Sequence, residues 1–404
     1  MRNIHLHLAA PASKSMTQRA IAAALLAYGE SAIVNPSLCF DALVARGIAA
    51  ALGSIVMEHN KTLRIAAHSR HCADTLHCGE SAFCVRLFTP IAALLGMSLT
   101  VIGNGTLLSR PLPDVTDALA AFGVTASMEN NLLPIHLSGV LQSGTATVDG
   151  SKSSQTLSGL LMALPVLRGN SEITVTRLAS RPYVDMTLEV MRAFGVTVTH
   201  DDYRHFHIRG NQRYMPQTYT VEGDWSGAAF WLATAAIGGD ITVTGLRNNS
   251  AQADKAILQA LQQAGAIVQW QGDTLTVRRN TLKAFRFNAS DCPDLFPPLT
   301  LLAAFCEGVS VIEGAERLIH KESNRAAALQ QTFGKLGIAV STEGDKLIVQ
   351  GGTVRGGDVS SFHDHRIAMA AACAGLFTDT PVRIDDTECI NKSYPQFMQI
   401  NYKL

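Results

Sequence analysis

The sequence has no C-x-x-C pair of cysteines and no long uninterrupted apolar run. Its eight cysteines lie mostly within apolar stretches, so we expect small core residues in a reducing compartment, not a disulfide framework or a zinc site. No apolar stretch is long enough to span a bilayer, and residues 1–10 lack the pattern of a signal peptide. We therefore expect a cytoplasmic protein outside the membrane.

An excess of charge of one sign is also missing, because 33 basic residues are balanced by 33 acidic ones. No general basic surface is available for nucleic acid or an anionic membrane, so any anion site must be local. Gly103 and Gly105 lack the third glycine of a dinucleotide fingerprint, and there is no Walker A loop, nucleophile elbow or catalytic triad. We expect no cofactor.

Internal repetition is the feature that is present. A helix end, a glycine and then a strand recur at Gly53, Gly123, Gly195, Gly265 and Gly337, in steps of 70 to 72 residues. Glycine suits the left-handed residue that ends many helices. In a chain of 404 residues, with 47% hydrophobic residues, this step predicts repeated sheet-and-helix units and at least two cores.

A second repeated phrase is a polar helix start, an apolar helix of about three turns and a β-branched strand. Its starts lie near Ser13, Glu80, Ser151, Asp224, Asp291 and Asp364. Six such starts against five glycines predict six units, one of them incomplete or shared between the chain ends.

The expected fold class is α/β, with two domains of three repeated units and apolar helices packed inside the sheets. Residues 13–221 would form the first domain, and 1–12 with 222–404 the second, discontinuous one. A hinge is expected near 10–13 and 221–224.

The sixth unit lacks a partner strand at the C-terminal end, and we expect residues 3–8 to complete it. If the first helices of all units point the same way, their N-termini face one cleft.

Helix starts in the first half carry cations and hydroxyl groups. Ser13 can cap a helix that presents Lys14, Ser15 and Arg19 to an anion, although a Ser-capped helix with solvated cations is the simpler reading. The run from Ser151 through Lys152 to Gln155 offers the same chemistry or a serine-rich cap. Two more motifs add to this set: Ser180-Arg181-Pro182-Tyr183, and Arg110 before a proline that could open a helix. Arg86 is interpreted as a surface or structural cation.

Helix starts in the second half add carboxylates. Asp294 can accept a proton from a bound hydroxyl, or it can be an ordinary cap. A helix carrying Arg317, Lys321, Glu322 and Arg325 places Lys321 and Arg325 one turn apart, either as a solvated face or as an anion site. His363-x-His365 lacks the further ligands of a metal site, so no metal is expected, and Arg366 and Lys392 are interpreted as anion ligands.

Taken in order, these motifs resemble the 3-phosphoshikimate 1-carboxyvinyltransferase family, the EPSP synthases, over nearly the whole chain. The resemblance implies an inside-out α/β barrel of two domains. It also implies transfer of the enolpyruvyl group of phosphoenolpyruvate to the 5-hydroxyl of shikimate 3-phosphate, with release of phosphate through a tetrahedral intermediate, in aromatic amino-acid biosynthesis.

Site residues follow from this resemblance. Asp294, Glu322 and Lys14 would be the catalytic residues: Asp294 would deprotonate the hydroxyl, Glu322 would protonate the methylene carbon, and Lys14 would contact both substrates. Shikimate 3-phosphate would be bound by Lys14, Ser15, Arg19, Ser153, Ser154, Gln155, Ser180, Tyr183, Asp294, Arg317 and Lys321. Phosphoenolpyruvate would be bound by Lys14, Ala82, Arg110, Gln155, Arg325, His365, Arg366 and Lys392.

The chain departs from the family pattern at three motifs, of which the mildest is Pro11-Ala12 in place of Pro-Gly. Glu80-Ser81-Ala82-Phe83-Cys84 replaces the usual Asn-x-Gly-Thr-Ala, and the methyl group of Ala82 could crowd the family's inhibitor glyphosate and raise the apparent KM for phosphoenolpyruvate. Asn324 replaces an aspartate beside Arg325.

Two alternatives stay open. One is the related enolpyruvyl transfer to a UDP-sugar, against which the Lys14-Ser15 and Ser153-Ser154 pairs count. The other is a non-catalytic relative that binds anions. The expected partners are the two small substrates, and the expected state is a monomer.

Overall fold

The computed structural model describes residues 3–67, 72–151, 153–319 and 321–404. The chain forms two compact units. The N-terminal unit is Ala12–Val221, and the C-terminal unit joins the segment up to Pro11 with Glu222–Leu404.

The helices of the N-terminal unit are α1 (Lys14–Leu26), α2 (Phe40–Ala51), α3 (Ala82–Ala92), α4 (Pro113–Ala120), α5 (Gln155–Ala163) and α6 (Arg181–Ala193). Its strands are β2 (Glu30–Val34), β3 (Ser54–His59), β4 (Thr62–Ala67), β5 (Thr75–His77), β6 (Leu99–Ile102), β7 (Thr125–Glu129), β8 (Leu132–Ser138), β9 (Thr145–Asp149), β10 (Ser171–Thr176), β11 (Thr199–Asp201), β12 (His205–Ile208) and β13 (Thr218–Thr220).

The helices of the C-terminal unit are α7 (Trp225–Gly238), α8 (Ile257–Ala264), α9 (Phe296–Ala304), α10 (Arg325–Lys335), α11 (His365–Gly375) and α12 (Phe397–Asn401). Its strands are β1 (Ile4–Ala9), β14 (Gly239–Thr244), β15 (Ile267–Gln271), β16 (Thr274–Arg278), β17 (Arg286–Asn288), β18 (Val309–Glu313), β19 (Val340–Glu343), β20 (Lys346–Gln350), β21 (Gly357–Val359) and β22 (Val382–Ile384).

Five four-stranded sheets share one plan, in which a parallel pair of strands is extended by an antiparallel hairpin. Three lie in the N-terminal unit, in the orders β13-β2-β4-β3, β5-β6-β8-β7 and β11-β12-β10-β9. The C-terminal unit has two, β1-β14-β16-β15 and β17-β18-β20-β19. Its third sheet is the pair β21-β22, so the expectation of an incomplete unit is confirmed for the described residues.

The predicted helix ends are confirmed by backbone geometry. Gly53, Gly123, Gly195, Gly265 and Gly337 all have φ between 80° and 99°, in the left-handed region that glycine enters without a Cβ clash. The regular step in the sequence therefore marks the end of the second helix in each of five units.

The prediction for the first residues is wrong, because β1 does not complete the sixth unit. It pairs in parallel with β14, from Ile4 opposite Gly239 to Ala9 opposite Thr244. The strand that directly precedes α7 is β13, and it pairs instead with β2. The position beside β14 is therefore occupied by β1. The N-terminal unit thus contains β13, the strand that precedes α7, and the C-terminal unit contains β1, the strand that precedes α1.

Gly223 packs closely against the residues that directly follow β1 and β14, so there is no room for a side chain at this position. A Cβ there would lie 2.6 Å from the carbonyl oxygen of Gly245 and 2.8 Å from the Cβ of Ala10. The amide of Asp224 also donates to the carbonyl of Pro11 at 2.7 Å.

Apolar helices form the centre of each unit. In the C-terminal unit α7, α9 and α11 pack against one another, and nearly all their residues are buried. Alanine-rich α1 and apolar α3 and α5 are similarly buried in the N-terminal unit. The helices α3, α5, α9 and α11 each follow the first strand of a sheet in their own unit. The helices α1 and α7 follow β1 and β13, which belong to the other unit.

Candidate active site

The start of α1 holds a paired cation. Ser13 caps the helix by accepting from the amide of Met16 at 3.4 Å. Nζ of Lys14, in the first turn, lies 3.0 Å from Oδ2 of Asp41, a residue that is only 5% exposed. Asp41 therefore fixes the direction of the Lys14 side chain.

A buried amide connects this helix start to the next one. Nε2 of Gln18 donates to the carbonyl of Asp41 at 3.3 Å and to Oγ of Ser81 at 3.2 Å. Ser81 is the N-cap of α3 and accepts from the amide of Cys84 at 3.3 Å. The unusual motif is thus packed into the site, with the methyl group of Ala82 buried at the first residue of α3.

Arg86 is a structural cation, which agrees with one of the two interpretations drawn from the sequence. Its Nε and Nη2 lie 2.8 and 3.0 Å from the carboxylate of Asp114, which also accepts from Thr156. Burial acts to raise the pKa of Asp114, but Arg86 outweighs it and the pKa is lowered. Nη1 of Arg86 lies 3.4 Å from Oε1 of Gln155, so it orients a predicted substrate residue.

Arg19 is almost fully buried and joins α1 to α6. Its Nε donates to Thr187 at 2.9 Å, and its Nη groups donate at 3.0 Å to the carbonyls of Ser15 and Tyr183. The guanidinium also lies 4.5 Å from the ring centroid of Phe83. Burial lowers the pKa of Arg19 to about 9, which keeps it charged at neutral pH.

The third predicted helix start lies later than expected. Ser154 is the N-cap and α5 begins at Gln155, whose amide donates to Oγ of Ser153 at 3.1 Å. Lys152 lies outside the described residues. Ser180, before α6, has a left-handed backbone with φ 59°.

The proline after Arg110 does not open a helix, so that prediction is wrong. Arg110 follows a short 3-10 helix, Gly105–Ser109, and α4 begins two residues after Pro111, at Pro113. Pro113 occupies the first helical position, where its missing N–H is not needed.

Asp294 is the centre of the site in the C-terminal unit. Its Oδ1 lies 2.8 Å from Nη1 of Arg325 and 3.4 Å from Nζ of Lys321, and its Oδ2 lies 3.1 Å from Nη2 of Arg366. Burial acts to raise the pKa of this carboxyl group, but the three cations hold it well below its usual value. Asp294 is therefore ionised at neutral pH.

Arg325 is fully buried among three carboxylates. Nε lies 2.9 Å from Oδ2 of Asp364, and Nη2 lies 2.6 Å from Oε2 of Glu322, in addition to the contact with Asp294. Burial disfavours its charge, but Asp364, Glu322 and Asp294 outweigh this and raise its pKa.

The prediction that Lys321 and Arg325 share one helix face is wrong, since α10 begins at Arg325. Lys321 lies in the preceding segment and reaches Asp294 from there, and burial lowers its pKa. The two cations do meet at one carboxylate, but the loop brings them together.

The remaining predicted residues of this unit are buried or half-buried. Asp364 caps α11 by accepting from the amide of Arg366 at 3.0 Å, and His365 is 1% exposed. Arg317 donates to the carbonyl of Ser290. Lys392 is buried at the end of the 3-10 helix Glu388–Lys392.

Four buried or half-buried carboxylates were not predicted from the sequence as parts of the site. Asp41, Asp114 and Asp364 position cations, and Asp254 lies near enough to Asp294 for their charges to interact. Asp41 and Asp114 stand in the first turn of a helix, where an acidic residue ordinarily serves the helix dipole. What distinguishes them from ordinary helix-start residues is their burial, which the sequence alone does not show.

No described helix is both long and apolar enough to cross a membrane. A family model described as EPSP synthase (3-phosphoshikimate 1-carboxyvinyltransferase) matches residues 2–400. Among curated relatives, the 3-phosphoshikimate 1-carboxyvinyltransferase of Clostridium kluyveri is 37% identical over 96% of this chain and 92% of its own length. That of Methanocorpusculum labreanum is 36% identical over 98% and 95%. A solved structure of EPSP synthase from Acinetobacter baumannii superposes with a TM-score of 0.82 at 25% identity, covering 99% of this chain and 96% of that one.

Proposed function

The chain belongs to the EPSP synthase (3-phosphoshikimate 1-carboxyvinyltransferase) family, and on that basis we propose that the side chains described above bind the two substrates of its reaction. The fold is the two-domain inside-out α/β barrel of the family. The reaction joins shikimate 3-phosphate and phosphoenolpyruvate to give 5-enolpyruvylshikimate 3-phosphate and phosphate, in the shikimate pathway to aromatic amino acids.

Shikimate 3-phosphate is assigned mainly to the N-terminal unit, where hydroxyl groups and oriented cations can donate to a phosphate without a metal. Gln155 contributes from the start of α5, oriented by Arg86. The resemblance to the family also assigns Asp294, Arg317 and Lys321 to this substrate. In the N-terminal unit the set consists of Lys14, Ser15, Arg19, Ser153, Ser154, Gln155, Ser180 and Tyr183.

Phosphoenolpyruvate is assigned to a set of cations, with His365 and the start of α3 at Ala82. Arg325 and Arg366 already bind carboxylates, so their geometry suits the carboxylate or phosphate of this substrate. The full set is Lys14, Ala82, Arg110, Gln155, Arg325, His365, Arg366 and Lys392.

The first step requires a base, and Asp294 is the proposed one. Three cations make Asp294 a weak base. When anionic phosphoenolpyruvate binds Arg325 and Arg366, it neutralises part of that charge, so the pKa of Asp294 rises as the substrate arrives. Asp294 then takes the proton of the 5-hydroxyl while the hydroxyl oxygen bonds to C2 of phosphoenolpyruvate.

Glu322 is paired with Arg325, and anionic phosphoenolpyruvate bound to that arginine weakens the pairing, so Glu322 takes up a proton in the complex. It completes the addition by giving this proton to the methylene carbon C3, which yields the tetrahedral intermediate. Breakdown expels phosphate from C2, and the leaving phosphate takes the proton that Asp294 holds. The C3 methyl group returns a proton to Glu322, which re-forms the double bond, so both carboxyl groups regain their starting states. The cations stabilise the charge of the leaving phosphate.

The observation that carries these roles is the contact of Asp294 with Arg325, Lys321 and Arg366, with Glu322 bound to the same Arg325. The test is phosphate release from purified protein with both substrates saturating, with each substrate omitted in turn as a control. Release only when both are present is expected. UDP-N-acetylglucosamine in place of shikimate 3-phosphate should give none. Calorimetric binding of shikimate 3-phosphate with no release would instead indicate a non-catalytic relative.

We also expect the methyl group of Ala82 to crowd the inhibitor glyphosate. Because Ala82 is buried at the start of α3, added bulk there would reduce the space for glyphosate beside the phosphoenolpyruvate site. A monomer in the cytoplasm is the proposed state.

A further inference from the structure

Asp254 is a buried carboxyl group that the proposed mechanism does not use. It lies in the 3-10 helix Ala253–Ala256, which packs against α7 and α8, and it is 2% exposed. Its Oδ2 accepts from the hydroxyl of Ser226 in the first turn of α7. Its Oδ1 is buried and has no hydrogen-bond partner among the described residues. Burying an ionised oxygen without a hydrogen-bond partner is energetically costly, so this environment favours the protonated form of Asp254.

The charged and titratable groups that face Asp254 come from several elements. Asp294 and Cys292 lie before α9, Arg366 lies on α11, and Asp224 caps α7. Lys255, on the same short helix, donates instead to the carbonyl of Asn248. Burial and then Asp294 raise the pKa of Asp254 to about 7, while Arg366 and the hydrogen bond from Ser226 act in the opposite direction.

We propose that Asp254 is a positioning residue for the reaction: a second buried carboxyl group whose charge adjusts how strongly Asp294 binds a proton. This inference rests on the proposed role of Asp294 as the base. Asp254 does not touch a substrate in this scheme. It acts electrostatically on Asp294 and on Arg366, which lies 3.1 Å from Asp294. The geometry brings the two carboxyl groups together, because the 3-10 helix Pro293–Leu295, which carries Asp294, and the 3-10 helix of Asp254 both pack against α7.

The direction of the effect follows from the charges. Below neutral pH Asp254 is protonated and neutral, and the cations alone keep Asp294 a weak base. When Asp254 ionises, its negative charge repels that of Asp294, which raises the pKa of Asp294 and makes it a stronger base. The turnover number kcat should therefore rise with pH through about 7.

The first test compares the dependence of kcat on pH in the wild type, Asp254→Asn and Ser226→Ala, with both substrates saturating. Wild-type kcat should rise about threefold to tenfold through this range, as a Brønsted relation between base strength and rate predicts. Asp254→Asn should lose that rise and stay near the low-pH value. Ser226→Ala, which removes a bond that favours the ionised form, should move the rise to higher pH.

Controls separate an electrostatic effect on Asp294 from a purely structural one. The phosphate groups of the substrates also titrate in this region, but they affect all variants alike, so the difference between profiles is the readout. A uniform decrease in kcat with an unchanged profile in Asp254→Asn would show a structural role and overturn the proposal. Asp294→Asn tests the base itself, and a variant that keeps the wild-type kcat would contradict the proposed function. If Asp294→Asn is inactive but the pH profile of Asp254→Asn matches that of the wild type, only the inference about Asp254 is contradicted.

A second measurement does not require activity. The pKa of Asp254 is higher in the folded protein than in the unfolded chain, so its stabilising effect is complete at low pH and is lost as pH rises through about 7. Asp254→Asn has no ionisable group at this position, so it does not lose this stability as the pH rises. The melting temperature of the variant relative to wild type should therefore increase from pH 5 to pH 8. A difference that is the same at both pH values overturns the proposal.

Discussion

The two units use one sheet plan but treat their cations differently. In the N-terminal unit Lys14 pairs with Asp41 and Arg86 with Asp114, each as a separate ion pair. In the C-terminal unit a single carboxylate, Asp294, meets three cations, and Arg325 meets three carboxylates. Separate pairs fix the direction of side chains.

A connected network does something more, because any anion that binds its cations changes the proton affinity of its carboxylates. We infer that the N-terminal unit mainly holds a substrate and that the C-terminal unit carries the proton transfers. The following variants test this difference, beginning with the largest effect.

The largest contrast should come from neutralising one carboxylate in each unit. Asp294→Asn removes the proposed base, so kcat should fall by about 10²- to 10⁴-fold. Asp41→Asn only releases Lys14, so it should mainly raise KM, with kcat changed by about tenfold or less. Steady-state phosphate release over a grid of both substrate concentrations separates the two parameters.

Equal losses of kcat in both variants would contradict the division of labour. Asp291→Asn provides a matched control, because this exposed aspartate lies three residues from Asp294 in the same segment. Its kcat should stay close to that of the wild type.

The second contrast is in stability. Arg325→Met leaves Asp364, whose side chain is fully buried, without its main counter-charge, so it should cost about 3–5 kcal/mol. Arg86 and Asp114 are 11% and 22% exposed, and water can partly replace the lost partner, so Arg86→Met should cost about 2 kcal/mol. Urea unfolding of both variants measures the difference, and a greater cost at Arg86 would count against it.

Local signals were enough to predict the helix ends and most helix starts. The left-handed glycines and the caps at Ser13, Asp224 and Asp364 depend on residues that are close in sequence. The pairing of β1 could not be predicted this way, because it depends on which sheet position β13 leaves open, more than 200 residues away in the sequence.

The carboxylates illustrate the same limit within the site. The sequence shows aspartates at helix starts, and the resemblance to the family singled out Asp294. Asp41 and Asp254 look like ordinary first-turn residues until folding buries them beside charges that lie 27 and 40 residues away.

The smallest effect is expected where the chain departs from its family beside Arg325. Asn324 caps α10 by accepting from the amide of Ala327 at 3.3 Å, and an aspartate would keep that bond and add a favourable charge at the helix N-terminus. It would also add a fourth negative charge near Arg325, where Asp294, Glu322 and Asp364 already lie.

These terms oppose each other at an exposed position, so Asn324→Asp should change the free energy of unfolding by about 0.5 kcal/mol or less. Asn324→Ala, which removes the cap, should cost about 1 kcal/mol and serves as the reference. If urea unfolding finds Asn324→Asp as costly as Asn324→Ala, repulsion within the network cancels both the cap and the helix dipole. The C-terminal unit would then already hold as much negative charge as its cations can balance, and asparagine would be the residue that this balance favours.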